Sequence, residues 1–354
     1  MPQYFFHLLA FFVACAIVLI TTPIVRKFGL ESGLVDNPNA RKVHDRPMVR
    51  LGGVSIFIGS TVALLTVWRL GGFIDAQGNV LNPQAEYEIW GVIVGGLLFF
   101  CIGLADDLFN LSAIVRLLLQ VTVASAVWSI GNVQVNVLSV PFGDMLELSE
   151  PVSWLVTILW LVGMTNAINW IDGLDGLAAG VSGIAATIML FVSLFADRPA
   201  AALIAAALAG GTLGFLRYNF NPAQIFMGDG GSYYLGFTLA AVGIVGLIKS
   251  STVTAVLLPY VILAVPLVDM SAVIFDRLRS GKSPFTADKR HLHHRLLDAG
   301  FSHRSTVLFI YVLTLWAGSL ALVFARVPSG VFYAGAATVL LGYTGFLCWR
   351  RREG

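Results

Sequence analysis

Residues 152–177 read VSWLVTILWLVGMTNAINWIDGLDGL, an apolar run that passes into a polar segment. Its first part, 152–169, contains no charged side chain and is long enough for a helix that crosses a hydrocarbon layer of about 30 Å. Its last part is polar, with two asparagines and two aspartates in a segment that also contains glycine. The stretch therefore predicts a membrane-spanning helix that ends in a polar turn at the membrane surface.

Similar apolar runs lie along the whole chain. The sequence therefore predicts an all-α, polytopic integral membrane protein with about 11 transmembrane helices in a single domain, 1–354. The predicted spans are 4–25, 52–70, 89–105, 113–130, 152–169, 176–196, 199–216, 231–249, 251–275, 305–325 and 330–349. The first run lacks a preceding basic residue and a small-residue cleavage site, which favours a retained span over a signal peptide.

The basic residues predict an orientation for these spans. Of the 22 Lys and Arg residues, including Arg50 after the first span, all but Arg69, Arg198, Lys249 and Arg326 fall on one side or at its edge. Because Lys and Arg are enriched in cytoplasmic loops, we predict an external N-terminus and a cytoplasmic C-terminus. The expected location is the bacterial inner (plasma) membrane.

The composition excludes several classes of protein. The chain is 57% hydrophobic and 12% charged, whereas a soluble domain carries about 25% charged residues. The net charge of +2 excludes a strongly basic nucleic-acid binder, since no large positive field drives counterion release. The three cysteines have no CxxC spacing, so they favour neither a disulfide framework nor a zinc knuckle.

The predicted topology brings the polar clusters to the cytoplasmic face. Ionised groups at a membrane boundary cost free energy unless they are hydrated, paired or bound to metal, so these clusters are functional candidates. A cation-coupled transporter is a less favoured alternative, because transporters place such charges near the midplane and show internal repeats. The active site is predicted from the loops near 36–53, 105–116, 166–177, 217–232 and 276–304.

The first two clusters combine carboxylates and amides. Asp106 and Asp107 are adjacent and point about 100° apart on a helix, so they serve different partners. Asn166 and Asn169 are three residues apart and share a helical face. The glycines that follow them allow a ligand to approach the backbone, and amide and carboxylate oxygens suit a nucleotide and Mg²⁺.

Asp229 lies between glycines, immediately before the eighth predicted span. A helix N-terminus there attracts phosphate oxygens. Phe226 either stacks on a base or is an interfacial aromatic residue of the membrane belt. Asp269 lies within the ninth predicted span, after Pro266, and either pairs with a polar group at a broken helix or lines a cavity.

Residues 288–296 read DKRHLHHRL and contain three histidines. Their spacing is not that of an HExxH helix, and the flanking Lys and Arg residues favour anion binding over zinc. The basic loop that contains His44 either binds phosphate or is basic only because it faces the cytoplasm.

Together and in this order, these clusters resemble the polyprenyl-phosphate N-acetylhexosamine-1-phosphate transferase family over about 20–310. The most specific segments are NAINWIDGLDGL at 166–177, FMGDGGS at 226–232 and HLHHRLLDAGFSHR at 291–304. The HLHH form is similar to the WecA and TagO branch, whereas MraY-type enzymes carry an HHHxE-like stretch there. Asn110 stands where some members have a third Asp.

The resemblance implies roles for individual residues. Asp229 and Asn169 would bind Mg²⁺, with Mn²⁺ as a substitute, and Asp106 and Asp107 would position or deprotonate the lipid phosphate, so that Asp106, Asp107 and Asp229 are the catalytic residues. Asp172 and Asp175 would contact the nucleotide side, Phe226 would stack near uracil, and His291, His293, His294 and Arg295 would hold the sugar and its phosphate. Arg116 occupies a position where the family often has a basic residue. The predicted substrate-binding residues also include Asn166, Asn169 and His44.

The implied activity is transfer of GlcNAc-1-phosphate from UDP-GlcNAc to undecaprenyl phosphate, giving undecaprenyl-diphospho-GlcNAc and UMP. This would be the first membrane step of a cell-surface polysaccharide, such as lipopolysaccharide O-antigen or a teichoic-acid linkage. The same transfer from UDP-MurNAc-pentapeptide or from a deoxy N-acetyl sugar is the alternative. The sequence leaves open whether the chain forms a homodimer.

Overall fold

The computed structural model describes residues 2–36, 47–139, 145–248, 253–283 and 290–350. The helices are, in chain order, α1 (Pro2–Glu31), α2 (Gly52–Arg69), α3 (Pro83–Phe109), α4 (Ala113–Ser129), α5 (Glu150–Ile171), α6 (Leu177–Phe195), α7 (Pro199–Asn219), α8 (Gly228–Gly243), α9 (Val253–Ile262), α10 (Ala264–Arg279), α11 (Leu292–Asp298), α12 (His303–Phe324) and α13 (Gly330–Arg350). A π-helical turn, Ile244–Ile248, continues α8. Two short antiparallel strand pairs complete the described chain: β1 (Val35–Asp36) with β2 (Met48–Val49), and β3 (Val137–Ser139) with β4 (Met145–Glu147).

Eight of these helices are long and apolar enough to cross a membrane: α1, α2, α3, α5, α6, α7, α12 and α13. The architecture therefore agrees with the expected α-helical, multi-pass membrane protein. The fourth predicted span coincides with the shorter apolar helix α4, and the eighth coincides with α8 and its π-helical turn. The count of eleven spans and the sides on which the termini lie stay predictions.

The ninth predicted span, 251–275, differs from the structure, because it is divided at Leu263 between α9 and α10. Pro266 lacks the backbone N–H that would continue the helical hydrogen bonds, which explains an interruption just before it. Helix α10 begins after the break and carries Asp269, which lies beside the segment that contains α11.

Small side chains let the helices at the centre approach one another. The stretch Ala200–Ala209 of α7 is buried throughout and is surrounded by α1, α2 and α6. A Cβ on Gly210 would lie 2.0 Å from the carbonyl oxygen of Phe11 in α1, so only glycine permits this contact. Close packing through Gly and Ala is typical of helices in membranes.

The arrangement around α8 positions the polar clusters. Helix α8 packs against α2, α3, α5 and α7. The start of α8 therefore lies beside the C-terminal ends of α3 and α5, which carry the aspartate pair and the asparagines. Helix α3 ends at Asn110, whose left-handed backbone (φ 51°) and N–H bond to the Asp106 carbonyl close its last turn.

Candidate active site

Close backbone contacts bring the start of α8 against α2 and α3. A Cβ on Gly103 would lie 2.2 Å from the Asp229 carbonyl oxygen, and a Cβ on Gly53 would lie 2.2 Å from the Gly231 amide nitrogen. A side chain does not fit at such distances, so the close approach depends on glycine at both positions. These contacts place the two carboxylates of the last turn of α3 beside Asp229.

A second set of backbone contacts joins the segment before α2 to the segment before α8. Three N–H···O hydrogen bonds of 2.8, 2.9 and 2.8 Å connect residues 49–53 with residues 226–227. Gly228 then adopts a left-handed backbone with φ +75°, which glycine tolerates best. Arg50 lies within the paired segment, so the backbone fixes where its side chain begins.

Asp229 contacts the end of α5 directly. The Asn169 amide donates from Nδ2 to Asp229 Oδ1 over 2.8 Å and to Ser232 Oγ over 3.0 Å. Asn169 and Asp229, both predicted metal ligands, are thus in direct contact. For Asn169 to bind metal as well, its amide must turn its oxygen toward the ion, because the amide nitrogen is only a donor.

The adjacent aspartates of α3 have different partners, as their spacing predicted. Asp106 forms an ion pair and hydrogen bond with Nη1 of Arg116 on α4. Asp107 instead accepts a hydrogen bond of 3.0 Å from the backbone N–H of Gly230 at the start of α8. Asp106 is thereby linked to α4, and Asp107 is linked to α8.

Two guanidinium groups alternate with the three carboxylates. Arg116 Nη1 lies 4.0 Å from Asp229 Oδ2, in addition to its bond with Asp106. Arg50 Nη2 lies 3.6 Å from Asp107 Oδ1 and 3.9 Å from Asp229 Oδ1. The cluster therefore combines donors for anions with oxygen ligands for a cation, which phosphoryl transfer requires.

Arg50 lies in the loop near 36–53 that is predicted to contribute to the active site, but its sequence context assigns it no role of its own. Burial acts to lower its pKa, but the neighbouring Asp107 and Asp229 outweigh burial, so the pKa of the Arg50 guanidinium is raised. It is fully charged at neutral pH. In the sequence, Arg50 could have been recognised by its position just before Leu51 and the two glycines, Gly52 and Gly53. The backbone of these glycines is hydrogen-bonded to residues 226–227.

The acidic cluster has the kind of ligand atoms that Mg²⁺ prefers. Asp106, Asp107 and Asp229 supply carboxylate oxygens, and the buried Oδ1 of Asp107 accepts no hydrogen bond. A buried oxygen without a donor costs free energy, so it fits a site whose occupant brings positive charge. Within the described residues the carboxylates do not form a closed set of three ligands. The donor atoms fit an ion that also binds substrate phosphates and water, as Mg²⁺ commonly does.

The two aspartates of the turn between α5 and α6 have different surroundings. Asp175 Oδ2 accepts hydrogen bonds of 3.0 Å each from Asn221 Nδ2 and the Ala223 N–H, so it ties this turn to the segment before α8. Desolvation raises the pKa of the Asp172 carboxyl to about 7, against the opposing effect of Arg50. A cation bound nearby would favour the ionised form of Asp172.

Asp269 anchors the histidine segment. Its Oδ2 lies 2.8 Å from His291 Nδ1, and its Oδ1 accepts a hydrogen bond of 2.6 Å from the Leu292 N–H. Asp269 therefore pairs with polar groups of the histidine segment and not of the helix break, and it also lines a cavity beside Val268 and Arg295, as the second expectation had it. The edge of Trp170 also contacts His291, with ring centroids 5.7 Å apart, which links this segment to the end of α5.

His293 is almost fully buried in this segment. Only 2% of it is exposed, and its Nε2 has no hydrogen-bond partner. This nitrogen lies 2.5 Å from where a Cβ on Gly173 would stand, so the ring packs directly on the turn after α5. Burial, with smaller effects from His294 and His291, lowers the pKa of His293 to about 3. His293 is therefore neutral at pH 7 and suits a sugar hydroxyl better than a phosphate charge.

Arg295 is engaged in contacts that hold the histidine segment to α10. Its Nη2 forms a 2.6 Å ion pair with Asp276 Oδ2, and its Nε donates to the Arg290 carbonyl over 2.8 Å. About half of the Arg295 side chain is exposed. A role in binding donor phosphate stays a prediction for this residue and for His294.

The structure separates Asn166 from Asn169. The Asn166 amide donates to Gln120 Oε1 on α4 over 2.7 Å and to the Val162 carbonyl over 2.8 Å. Residues three apart on a helix differ by about 60° around its axis, and here that difference directs one amide to α4 and the other to α8. Phe226 is partly buried, with its backbone paired to the segment before α2. His44 lies outside the described residues.

Comparisons with known proteins relate this chain to membrane-lipid phosphosugar transferases. A family model described as glycosyl transferase family 4 matches residues 89–247, which contain the acidic cluster. The chain is 41% identical over 306 residues to a protein of Bacillus subtilis named probable undecaprenyl-phosphate N-acetylglucosaminyl 1-phosphate transferase, a match that covers 86% of this chain and 81% of the relative. It is 37% identical over 350 residues to decaprenyl-phosphate N-acetylglucosaminephosphotransferase of Mycolicibacterium smegmatis, covering 93% and 83%. It is 30% identical over 339 residues to undecaprenyl-phosphate alpha-N-acetylglucosaminyl 1-phosphate transferase of Yersinia pestis, covering 92% and 88%.

Proposed function

We propose that this chain, which belongs to the polyprenyl-phosphate N-acetylhexosamine-1-phosphate transferases of glycosyl transferase family 4, transfers GlcNAc-1-phosphate from UDP-GlcNAc to undecaprenyl phosphate. The names of the relatives specify both the phosphosugar and a polyprenyl phosphate acceptor. The other product is UMP, and the lipid-linked sugar starts a cell-surface polysaccharide.

The observation that supports this function is the acidic cluster at the C-terminal end of α3 and the start of α8. Asp106, Asp107 and Asp229 lie beside Arg50 and Arg116, with the nitrogen–oxygen pairs within 4.0 Å of one another. The acceptor has a long apolar chain and a phosphate head, so its reaction needs charged groups at the boundary of the membrane. The donor is soluble and anionic, so the site must also open to water.

The reaction is a direct displacement at phosphorus. A phosphate oxygen of the lipid attacks the donor phosphorus that carries GlcNAc, and the bond from that phosphorus to the bridging oxygen breaks. UMP leaves with the bonding electron pair, and a new diphosphate joins lipid and sugar. Such a transfer depends on placement and charge neutralisation more than on covalent help from the protein.

The residues of the cluster divide the two substrates between them. Asp106 and Asp107 orient the acceptor phosphate from the last turn of α3, and Asp107 accepts a proton from it if it enters protonated. Arg116 neutralises charge on the phosphates while it remains bonded to Asp106. Asp229, with Asn169 hydrogen-bonded to it, would hold the cation. When bound, Mg²⁺ neutralises charge on the donor diphosphate, and Mn²⁺ is its expected substitute.

Other residues orient the donor. Asp172 lies at the end of α5, close enough to Arg50 for an electrostatic interaction, and contacts the nucleotide part of the donor. Phe226 supplies an aromatic face for the uracil ring. His293, neutral and buried, donates to a hydroxyl of the sugar. We assign this site to the cytoplasmic face of the bacterial inner membrane, where UDP-sugars are present.

UMP release by the purified chain tests this function. The reaction contains undecaprenyl phosphate, Mg²⁺ and one of three donors: UDP-GlcNAc, UDP-MurNAc-pentapeptide or a UDP-linked deoxy N-acetyl sugar. We expect lipid-dependent UMP release with UDP-GlcNAc and none in the Asp229→Ala control. Release from another donor alone would assign a different sugar, and release from none of the three would overturn the proposal.

A further inference from the structure

Arg50 contacts the carboxylates in a different way from Arg116. Arg116 makes a direct hydrogen bond to Asp106. Arg50 Nη2 lies between Asp107 and Asp229, at 3.6 and 3.9 Å from their oxygens. Charge-assisted N–H···O bonds measure about 2.7–2.9 Å, so Arg50 is attracted to both carboxylates without being bonded to either.

The position between two carboxylates is where a cation would be stabilised most. The buried Asp107 Oδ1 that faces Arg50 accepts no hydrogen bond. The Arg50 guanidinium therefore places a positive charge 3.6 Å from this oxygen without satisfying it. A divalent ion with oxygen preference satisfies such an atom better than a guanidinium at 3.6 Å does.

The Arg50 side chain can leave this position, although its backbone cannot. The backbone of residues 49–53 is fixed by hydrogen bonds to residues 226–227. The side chain, in contrast, is 43% exposed, whereas that of Asp107 is 3% exposed. The Arg50 side chain thus runs from an anchored segment to the buried carboxylate while part of its own surface stays open to solvent.

We propose that Arg50 stands in for the metal ion between Asp107 and Asp229, and that it turns to the diphosphate of the UDP-sugar when the ion binds. This inference rests on the proposed function. A bound dication repels the guanidinium, and the donor diphosphate attracts it. The planar fork of an arginine matches phosphate oxygens, so the displaced side chain becomes a donor-binding group.

The two halves of this exchange predict opposite effects of one substitution. Arg50→Gln removes a competitor for the carboxylates, so Mn²⁺ in the absence of nucleotide should bind the variant as tightly as the wild type or a few-fold more tightly. The same variant lacks a charged contact to the diphosphate, so UDP-GlcNAc in the presence of Mn²⁺ should bind on the order of tenfold more weakly. Arg50→Lys keeps the charge, so Mn²⁺ affinity should stay near the wild-type value. It lacks the fork, so donor affinity should fall by an intermediate factor.

The experiment uses the full chain in detergent. Mn²⁺ binding is measured by electron paramagnetic resonance, and UDP-GlcNAc binding is measured by titration calorimetry at saturating Mn²⁺. Arg279→Gln, which removes an exposed charge at the end of α10, is the matched control and should leave both affinities unchanged. Size-exclusion profiles and thermal unfolding establish that each variant folds. If Arg50→Gln does not fold, Arg50→Lys carries the test, with weaker donor binding at unchanged Mn²⁺ affinity as the expected result.

Three results would overturn the inference. A parallel loss of Mn²⁺ and donor affinity would assign Arg50 a purely structural role, and unchanged donor affinity would mean that it stays with the carboxylates throughout. A wild-type chain that binds Mn²⁺ but neither binds nor consumes UDP-GlcNAc would overturn the proposed function itself. The first two results leave lipid-dependent UMP release by the wild type intact, so the two failures are distinguishable.

Discussion

Asn169 at the end of α5 and Asp229 at the start of α8 are sixty positions apart in sequence and are joined by a 2.8 Å hydrogen bond. The bond connects an uncharged amide to the carboxylate that stands nearest the start of α8. It therefore couples the turn after α5, which contains Asp172, to the acidic cluster. A change in either residue should affect the cation site before it affects the fold.

Asp229→Asn should abolish turnover by weakening Mg²⁺ binding, because the amide keeps the shape of the side chain but removes the charge that offsets the dication. The expected loss in kcat is on the order of 100-fold or more at millimolar Mg²⁺. Asn169→Ala should act in the same direction but more mildly, since it removes an uncharged partner. UMP release measured against Mg²⁺ concentration checks both variants. Unchanged metal dependence in Asp229→Asn would contradict the assignment.

Asp106→Asn and Arg116→Gln should each lower kcat with little change in Mg²⁺ dependence, because their direct bond serves the acceptor phosphate. The double variant should lose little more than the worse single variant, since the residues act as one unit. Asp107→Asn should lower kcat and also raise the Mg²⁺ concentration that turnover requires, because Asp107 Oδ1 faces the position proposed for the ion. Rescue of the Asp106 variant by high Mg²⁺ would contradict its assignment to the acceptor phosphate and add Asp106 to the metal ligands.

Gly103→Ala should inactivate the enzyme by pushing α8 away from α3. The added Cβ would stand 2.2 Å from the Asp229 carbonyl oxygen, which belongs to backbone and cannot rotate aside. The expected destabilisation is about 1–3 kcal/mol, with a larger effect on activity than on folding. Gly163→Ala on α5 is the matched control, because its Cβ would meet nothing within 4 Å. Thermal unfolding and UMP release compare the two, and equal activity of both variants would refute the close contact.

The buried His293 should make the protein less stable as the pH falls below about 6.5. Its pKa is lowered from 6.5 to about 3 in the folded state, so below pH 6.5 only the unfolded chain takes up the proton. Stability is unaffected above pH 6.5 and decreases between pH 6.5 and 3 by up to about 1.4 kcal/mol per pH unit. His293→Gln removes this loss. Unfolding temperatures of the two proteins at pH 7.5 and pH 5 should therefore converge or cross, and a constant difference would contradict a neutral His293.

The predicted topology places the loop between α2 and α3 outside and the segment after α10 in the cytoplasm. In a background without native cysteines, Gln77→Cys should react with a membrane-impermeant maleimide in intact cells. Lys282→Cys should react only after permeabilisation. Both positions are exposed, so lack of access does not explain a difference. Labelling of both from outside would remove the cytoplasmic assignment of the site.

The apolar runs and the polar clusters between them are properties of local sequence. Because a helix needs about 20 apolar residues to cross the membrane, a run such as 152–169 predicts its own span, and α5 ends within two residues of that limit. The same logic brings Asp106, Asp229 and Asn169 to helix ends. Helical geometry predicts that Asp106 points away from its neighbour Asp107, and the family resemblance implies that Asn169 and Asp229 share a site. The hydrogen bonds of these residues agree with both predictions.

The lateral arrangement of the helices is a property of the tertiary structure, because hydropathy along a chain does not say which helices touch. Only that arrangement directs Asn166 to Gln120 and gives Asp269 the His291 ring as a partner. The same arrangement places the Arg50 guanidinium between Asp107 and Asp229, which its sequence position does not reveal. Glycine-mediated backbone contacts between α2, α3 and α8 set these distances. Contacts between segments more than a hundred residues apart depend on how all the helices pack together.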